Sequence, residues 1–390
     1  MSMRRAALWS LIPLGLACCG GDGVRANRDG AWDAPVDAGA VDAVGLDGAV
    51  DRVGDASFDV RPSSRYGVTA IAIGEYHLCA ILDDGRVKCW GGNGVGEHGQ
   101  GNRNQYKKPV FVDLGTGRRA RSIAAARYAT CAILDDGRVK CWGDARQLGL
   151  GTDVSHGMGP GQMGDRLPYL ELGEGRTAKT LAMGSSKACA VLDDESLVCW
   201  SGQPPQQVAG PATASERIVK LAPVSQQVFG LRANGTLFLP SPSLVGELPE
   251  GPISVIGGNQ RSSTIYVVVG DELRNLSFAG APLKLWSTPV ALSVGPSVCF
   301  LVEQAVRCLG FSGAWWLAPT QPAHGAGWEV NLGQPAVELV TAGIDLHCAI
   351  LADQSAKCWG EGAPNLRFVV PAEARVPGMQ WPSIDFGTRE

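Results

Sequence analysis

The string Cys-Ala-Ile-Leu-Asp-Asp-Gly-Arg-Val-Lys-Cys-Trp occurs twice in this 390-residue chain, at 79–90 and at 131–142. Two short β-prone runs flank Asp-Asp-Gly, and glycine can take the left-handed conformation that a three-residue hairpin loop needs. The string therefore predicts a tight antiparallel hairpin in which Cys79 lies opposite Cys89 and Ile81 opposite Val87. Cysteines in such a cross-strand pair are within reach of a disulfide bond.

Five more copies follow the first two, giving seven units that begin at residues 79, 131, 189, 229, 266, 299 and 348. In the sixth unit the cysteines are one residue closer, and a two-residue loop at Glu303 and Gln304 would still place them opposite each other. The copies that begin at Phe229 and Tyr266 have no cysteine. The predicted disulfides are Cys79–Cys89, Cys131–Cys141, Cys189–Cys199, Cys299–Cys308 and Cys348–Cys358.

Ten of the twelve cysteines pair in this way, which indicates an oxidising compartment. Zinc ligation is the competing interpretation. It is disfavoured because cysteines with eight or nine residues between them across one hairpin lack the close Cys-x-x-Cys spacing that zinc sites favour. No metal site is expected.

The N-terminus has the features of an export signal. Arg4 and Arg5 precede an apolar stretch that is too short to span a bilayer. The sequence from Leu14 to Gly20 resembles the lipobox of bacterial lipoproteins, in which a diacylated cysteine becomes the first residue of the mature protein. This implies a signal peptide over 1–18, lipidation at Cys18 or Cys19, and sorting to the outer membrane. An ordinary cleaved signal is the alternative.

Residues 19–64 predict a disordered tether, because aspartates recur every four or five positions among Ala, Gly and Val. A calcium site is the alternative, but the carboxylates are too far apart to converge on one ion. The chain has a net charge of −4, of which 20–64 contribute −5 and the leader +2. The rest is close to neutral and has no basic patch for nucleic acid, so no nucleic-acid partner is expected.

From residue 65 to residue 390, each unit holds four short strands, the content of one antiparallel propeller blade. The sequence therefore predicts an all-β, seven-bladed, monomeric β-propeller of four-stranded blades. The first unit is expected to begin at its second strand. Residues 367–370 and 374–377 fit the missing strand, so closure by the C-terminal strand is expected.

The units resemble the regulator of chromosome condensation repeat. The resemblance rests on His77-Leu-Cys79-Ala-Ile, Gly85-Arg-Val-Lys-Cys89-Trp90-Gly91 and, in the second copy, Gln147-Leu-Gly-Leu-Gly151. It implies a seven-bladed propeller. The nucleotide-exchange and chromatin roles of the eukaryotic members do not suit a secreted, neutral chain. Secreted bacterial members with similar repeats inhibit β-lactamase by binding it across one propeller face, which implies protein binding here.

No catalytic residue and no cofactor are expected. His77 and His347 occupy repeat positions and are expected to be structural, while His98, His156 and His324 are spread over different segments. The Asp-Asp pairs at 83, 135 and 193 are expected to form turns. A glycosidase carboxylate pair would have to come from different blades, an alternative that the sequence leaves open.

Binding residues are expected in the two longest insertions, at 143–166 and 310–328. The second contains Trp315 and Trp316, which suit contact with a protein or glycan, unless the insertions fold back over a blade edge. The sequence thus predicts a non-catalytic envelope lipoprotein that binds an extracellular or envelope protein or glycan. The alternatives are a propeller hydrolase or lyase acting on polysaccharide and a purely structural envelope protein.

Overall fold

The computed structural model describes residues 64–240, 248–258, 260, 263–277, 281–295, 297–310, 328–340, 346–360 and 383–389. The predicted signal peptide, both lipidation candidates Cys18 and Cys19, and nearly all of the tether lie outside these residues. Within the described residues the chain is all-β, and its strands form seven antiparallel sheets that follow one another in sequence. We number the sheets 1 to 7 in chain order.

The first three sheets hold the strands β1 to β11. Sheet 1 contains β1 Val68–Ile73, β2 His77–Leu82, β3 Val87–Gly91 and β4 Tyr106–Phe111. Sheet 2 contains β5 Ala120–Ala125, β6 Ala129–Leu134 and β7 Val139–Gly143. Sheet 3 contains β8 Ala178–Met183, β9 Ala188–Leu192, β10 Leu197–Trp200 and β11 Gln206–Ala209.

The remaining four sheets hold β12 to β25. Sheet 4 contains β12 Ile218–Val224, β13 Gln227–Arg232 and β14 Leu237–Phe238, and sheet 5 contains β15 Ile253–Gly258, β16 Ile265–Val269, β17 Glu272–Asn275 and β18 Leu283–Lys284. Sheet 6 contains β19 Ala291–Val294, β20 Ser297–Val302, β21 Ala305–Gly310 and β22 Trp328–Glu329, and sheet 7 contains β23 Ala336–Val340, β24 Leu346–Leu351 and β25 Ala356–Gly360.

Helices among the described residues are short. They are the α-helix α1, Ala145–Leu148, and two 3₁₀ turns, Gly164–Arg166 and Ala214–Glu216. None of the helices in the described ranges is long and apolar enough to cross a bilayer.

The repeated hairpin has the predicted register. Cys79 lies opposite Cys89 and Ile81 opposite Val87. The shortened sixth copy closes with a two-residue loop at Glu303 and Gln304, as predicted, and Cys299 still lies opposite Cys308. Each of the five cysteine pairs has Cα atoms 4.0 to 4.1 Å apart and sulfur atoms at bonding distance, a geometry compatible with disulfides.

The apolar core lies between neighbouring sheets rather than inside any one sheet. Cys79 and Ile81 of sheet 1, for example, pack with Leu134 and Trp142 of sheet 2. The second strands of sheets 1, 2, 6 and 7 are buried along their whole length, so both of their faces are covered. Burial on both faces explains why these strands have continuous apolar runs and not an alternating pattern.

The first strands of the sheets contact one another in sequence. The order of contact is β1, β5, β8, β12, β15, β19 and β23, and β23 also contacts β1. One apolar cluster joins sheets 7 and 1, with Leu346 and Trp359 packed together with Val68 and Leu78. Residues of sheets 7 and 1 therefore share one apolar cluster, as residues of sheets 1 and 2 do.

Sheet 1 corrects one part of the predicted organisation. All four of its strands come from residues 68–111, so the first unit does not begin at its second strand. The prediction failed because Val68–Ile73 was assigned to the second-strand position, although it is the first strand. The segments 367–370 and 374–377, predicted to complete this sheet, lie outside the described residues.

The described C-terminal segment repeats a pattern found in the links between sheets. Residues 112–115, 170–173 and 330–333 each read apolar, polar, apolar, Gly, and residues 384–387 have the same pattern. The backbone N–H of Ile384 donates to Ala356 O at 2.9 Å, as the N–H of Val112 donates to Val87 O at 2.9 Å. The C-terminal segment therefore leaves sheet 7 as the link at 112–115 leaves sheet 1.

A lysine of the following sheet holds two of these links and the C-terminal segment. Lys140 Nζ donates to Leu114 O at 2.9 Å, and Lys357 Nζ donates to Leu332 O at 2.6 Å. In the same way, Lys88 Nζ of sheet 1 donates to Phe386 O at 2.6 Å. Beyond Phe386, the N–H of Arg389 donates to Ser64 O at 2.9 Å.

We expect Phe386→Ala to destabilise the protein by about 3–5 kcal/mol, comparable to the roughly 2–5 kcal/mol expected for Leu332→Ala. Both side chains are buried in the cluster that joins sheets 7 and 1. Urea unfolding followed by tryptophan fluorescence measures the change, and Phe111→Ala is the control because Phe111 is 40% exposed. Unfolding of Phe386→Ala at the wild-type midpoint would show that the C-terminal segment is not part of the core.

Candidate functional site

The turns between the first and second strands of sheets 1 to 4 lie at one end of the sheets, which we call the turn end. Ser185 N donates to Ser225 O at 2.8 Å, and Ser186 Oγ donates to Gln226 O at 3.4 Å. These bonds join the turn of sheet 3 to that of sheet 4. Turns from separate repeats therefore form one continuous surface.

Two tyrosines and an arginine form a stack on this surface. The rings of Tyr76 and Tyr128 lie 5.3 Å apart at an angle of 21°. The guanidinium of Arg127 is 5.0 Å from the centre of the Tyr128 ring and forms an ion pair with Glu75 at 3.1 Å. Cation–π contact and the ion pair together hold Arg127 over the stack.

Asp144 and Arg146 form the next part of the surface. Asp144 is the N-cap of α1, where its carboxylate accepts from Arg146 N at 3.0 Å and from Arg146 Nε at 2.9 Å. The Asp144 side chain is almost buried, whereas that of Arg146 is 82% exposed. Arg146 is therefore anchored at its base and presents its guanidinium to solvent.

Gln147 joins the turns of sheets 2 and 3. Its Oε1 accepts from Tyr128 N at 3.2 Å, and its Nε2 donates to Ser185 O. A cavity of about 270 Å³ lies above this bridge, and we call it the Tyr–Arg pocket. It is lined by Arg127, Tyr128, Asp144, Arg146, Gln147, Ser185, Ser186 and Gln226.

The electrostatics of the pocket favour binding over acid–base chemistry. Burial raises the pKa of Tyr76, and the hydrogen bond from Arg127 only partly opposes this, so the phenol stays neutral. The hydrogen bonds from Arg146 lower the pKa of Asp144, which is therefore ionised and already paired. The lining holds no histidine or cysteine, and its one carboxylate has no free role as a base.

The histidines expected to be structural lie in the core. His77 is fully buried and its Nε2 is 2.7 Å from Thr130 Oγ1, while His347 lies 2.8 Å from Ser293 Oγ and 2.9 Å from Ser297 Oγ. Burial lowers the pKa of each imidazole to about 3, so both are neutral. Both residues have the structural role that was predicted.

The other candidate residues do not converge on a site within the described part of the chain. Burial lowers the pKa of His98 to about 4, and the backbone of His156 pairs with Gly143. No group of three or more His, Cys, Asp or Glu in the described ranges is arranged to hold a metal ion. Asp84 accepts from the N–H of Arg86 at 3.0 Å, and Asp136 from that of Arg138 at 3.0 Å, so the acidic pairs form turns as predicted.

Part of the insertion at 143–166 folds over the neighbouring repeat. Gly157 and Gly96 approach so closely that a side chain on either would meet the backbone of the other segment. Met163 is buried between sheets 1 and 2. This part of the insertion therefore fits the alternative stated above, in which the insertion folds back over a neighbouring repeat and does not bind a partner. Trp315 and Trp316, like His324, lie outside the described residues.

The residues of the Tyr–Arg pocket were not predicted from the sequence. They come from three sheets, and no local motif connects them. One signal was available, because Tyr76 and Tyr128 both stand three residues before the first cysteine of a repeat. The same position holds Ser186 in the third repeat, so the tyrosine is not required by the hairpin.

Comparison with known proteins identifies the repeat. The family model described as the regulator of chromosome condensation (RCC1) repeat matches residues 68–100 and 120–146. A mitochondrial RCC1 domain-containing protein of Arabidopsis thaliana, RUG3, is 32% identical over 85 residues, which cover 22% of this chain and 19% of that protein. Protein pim1 of Schizosaccharomyces pombe is 34% identical over 97 residues, which cover 23% and 18%. The chain thus spans about a fifth of the length of these relatives.

Among solved structures, the chain is similar to the crinkly WD40 ectodomain of the receptor kinase ACR4 from Arabidopsis thaliana. The TM-score is 0.51 at 17% sequence identity, and the match covers 77% of this chain and 97% of that one. Identity at this level supports a similarity of fold alone.

The buried histidines predict a loss of stability in acid. A histidine of the unfolded chain becomes protonated near its ordinary pKa of 6.5, whereas the pKa of folded His347 is about 3. The free energy of unfolding should therefore be highest above pH 6.5, and at pH 5 it should be lower by about 2 kcal/mol for each buried histidine. Urea unfolding at pH 7 and pH 5 measures the fall, which should be smaller in His347→Gln. The half-buried His156 provides the control, and an equal fall in His347→Gln and His156→Gln would contradict this assignment.

Proposed function

We propose that this chain, which carries regulator of chromosome condensation repeats, is a non-catalytic protein-binding module whose partner docks on the Tyr–Arg pocket. The observation that carries the proposal is the Tyr76–Tyr128 stack under Arg127 beside the cavity. Tyrosine and arginine are, with tryptophan, the residues enriched at the hot spots of protein interfaces, which cluster in well-packed desolvated pockets.

The size of the pocket favours a protein partner over a free small molecule. Small-ligand sites usually enclose roughly 300–1,000 Å³, and this cavity has about 270 Å³. It fits one side chain of a partner, while the surrounding turn end supplies additional contact area. A neighbouring cavity of about 140 Å³, which shares Gln226, can receive a second side chain.

The pocket is organised before a partner arrives. Glu75 and Tyr76 hold Arg127, Asp144 holds Arg146, and Gln147 fixes two turns. Ordering of free side chains is one of the main costs of association. Because these side chains are already held, docking loses little conformational entropy here.

A photoreactive amino acid at Ser186 should crosslink one partner protein in intact cells. Arg127→Ala and Tyr128→Ala should each reduce that adduct about tenfold or more, the effect expected of an interface hot spot. Gel electrophoresis and mass spectrometry measure the adduct.

The matched control is Arg138→Ala. Arg138 lies 3.7 Å from the centre of the Tyr169 ring, so this variant removes a second Arg–Tyr contact away from the pocket. Its adduct should equal that of wild type. An adduct unchanged in Arg127→Ala and Tyr128→Ala, or one whose added mass is removed by glycosidase and which yields no peptides of a second protein, would reject the protein-binding proposal; the latter would identify a glycan.

We propose in addition that the seven sheets are the blades of a closed propeller and that residues 383–389 act as its last link. The contacts among the first strands, including that of β23 with β1, support a ring. The ion pair of Arg389 with Asp83 supports the link, because Arg118 pairs with Asp135 and Arg176 with Asp193 at the two equivalent links. Closure is thus a non-covalent copy of a normal link between repeats.

We propose, finally, that the chain is exported and anchored to the outer membrane through a lipid on Cys18 or Cys19. The leader at 1–18 and its lipobox-like end support this, and so do five cysteine pairs in disulfide-compatible geometry. Paired cysteines of this number are typical of oxidising compartments. The partner would then be an envelope or extracellular protein.

Envelope protein from cells fed labelled palmitate should carry the label, and the double variant Cys18→Ser, Cys19→Ser should lose it. Cys189→Ser is the control and should keep the label. In the same wild-type sample, the ten repeat cysteines should resist alkylation until they are reduced, because each is bonded to its partner. Label in the double variant would reject the lipid anchor, and alkylation of Cys79 and Cys89 without reductant would reject the disulfides.

A further inference from the structure

The link from sheet 6 to sheet 7 is shorter than the links that leave sheets 1 and 2. Four residues separate Gly115 from the first residue of β5, and four separate Gly173 from the first residue of β8. Only Gln334 and Pro335 separate Gly333 from β23. The link to sheet 7 therefore has two residues fewer with which to cover the hairpin loop beside it.

A cavity of about 510 Å³ lies between this short link and the hairpin loop of sheet 6, and we call it the link cavity. The N–H of Ala336 donates to Gln304 O at 2.7 Å and that of Val330 donates to Val306 O at 2.8 Å, so both ends of the link are fixed to the hairpin. The volume lies within the roughly 300–1,000 Å³ of small-ligand sites. Its polar lining residues are Glu303, Gln304, Glu329, Asn331 and Gln334.

The hairpin loop beside the link cavity has an unfavourable sequence for its conformation. Glu303 and Gln304 both have left-handed backbones, with φ of 49° and 66°. A two-residue loop of this kind strongly favours Asn-Gly or another pair with glycine, because most side chains crowd the backbone at positive φ. Both side chains line the cavity. Backbone strain of this kind clusters at ligand sites, where the surrounding structure holds it in place.

We propose that the link cavity binds an oligosaccharide that carries no anionic group. Its polar lining consists of two carboxylates and three carboxamides. Carboxylates accept hydrogen bonds, whereas carboxamides both donate and accept them, so this lining suits a ligand with many hydroxyl groups. A sulfated, phosphorylated or sialylated sugar would meet like charge at Glu303 and Glu329, which disfavours binding.

A partly exposed tryptophan extends this site. Trp286 is 37% exposed, and the guanidinium of Arg307 is 4.8 Å from the centre of its ring. Arg307 also forms an ion pair at 3.4 Å with Glu329 of the cavity lining. An indole ring has a broad apolar surface, against which the C–H face of a sugar ring can pack. The cavity and Trp286 together can therefore contact more than one sugar unit.

Isothermal titration with maltotriose, triacetylchitotriose, its deacetylated form and sialyllactose tests the site. At least one of the first three should bind, and sialyllactose should bind about tenfold or more weakly than that sugar. In the double variant Glu303→Asn, Gln304→Gly the affinity for the sugar should fall about tenfold or more, because two polar side chains leave the cavity wall. The melting temperature of this variant should stay the same or rise, because Asn-Gly fits the loop. A purely structural role of the two residues would not separate binding from stability in this way.

The matched control is Glu195→Gly. Glu195 has the same left-handed conformation, with φ of 67°, in the hairpin loop of sheet 3, and does not line the link cavity. This variant should bind the sugar as wild type does.

Gln334→Ala changes the link without altering the loop, and it should also weaken binding. Failure of all three non-anionic sugars to bind, a preference for sialyllactose, or an affinity that neither the double variant nor Gln334→Ala lowers would overturn the proposal. The link cavity shares no lining residue with the Tyr–Arg pocket. Arg127→Ala should therefore leave sugar binding intact, so the two proposals can fail separately.

Discussion

The structure depends on the need of every sheet to bury both of its faces. The second strand of sheet 1 is buried over all six of its residues, and the same holds for sheets 2, 6 and 7. A row of such sheets would leave one apolar face bare at each end. Among the described residues β23 contacts β1, and Trp359 and Leu78 belong to one apolar cluster, which supports the closed arrangement proposed above. Cross-strand cysteine pairs fix the register of single hairpins, whereas the packing of one sheet on the next buries the faces of those hairpins.

Local features made the hairpins predictable from the sequence. Register at Cys79 and Cys89 follows from a short loop and a repeated spacing, and these survive where the sequence drifts. The first strand of sheet 1 was assigned wrongly because Val68–Ile73 fits a first or a second strand equally well. The first strand of sheet 7, which contacts it, is more than 260 residues away in sequence, beyond any local pattern. Residues 384–387 have the same apolar, polar, apolar, Gly pattern as the links between sheets. Their proposed role as a link can be recognised only when their hydrogen bonds are compared with those of the other links.

The Tyr–Arg pocket was not predictable for a different reason. Its residues come from turns of sheets 2, 3 and 4, and the first-strand turns are not constrained by the hairpin that defines the repeat. Tyr128 and Ser186 occupy the same repeat position, yet one supplies a ring of the stack and the other supplies a hydroxyl to the pocket wall. A sequence shows the position as variable. Only the fold shows that variable positions from different repeats meet.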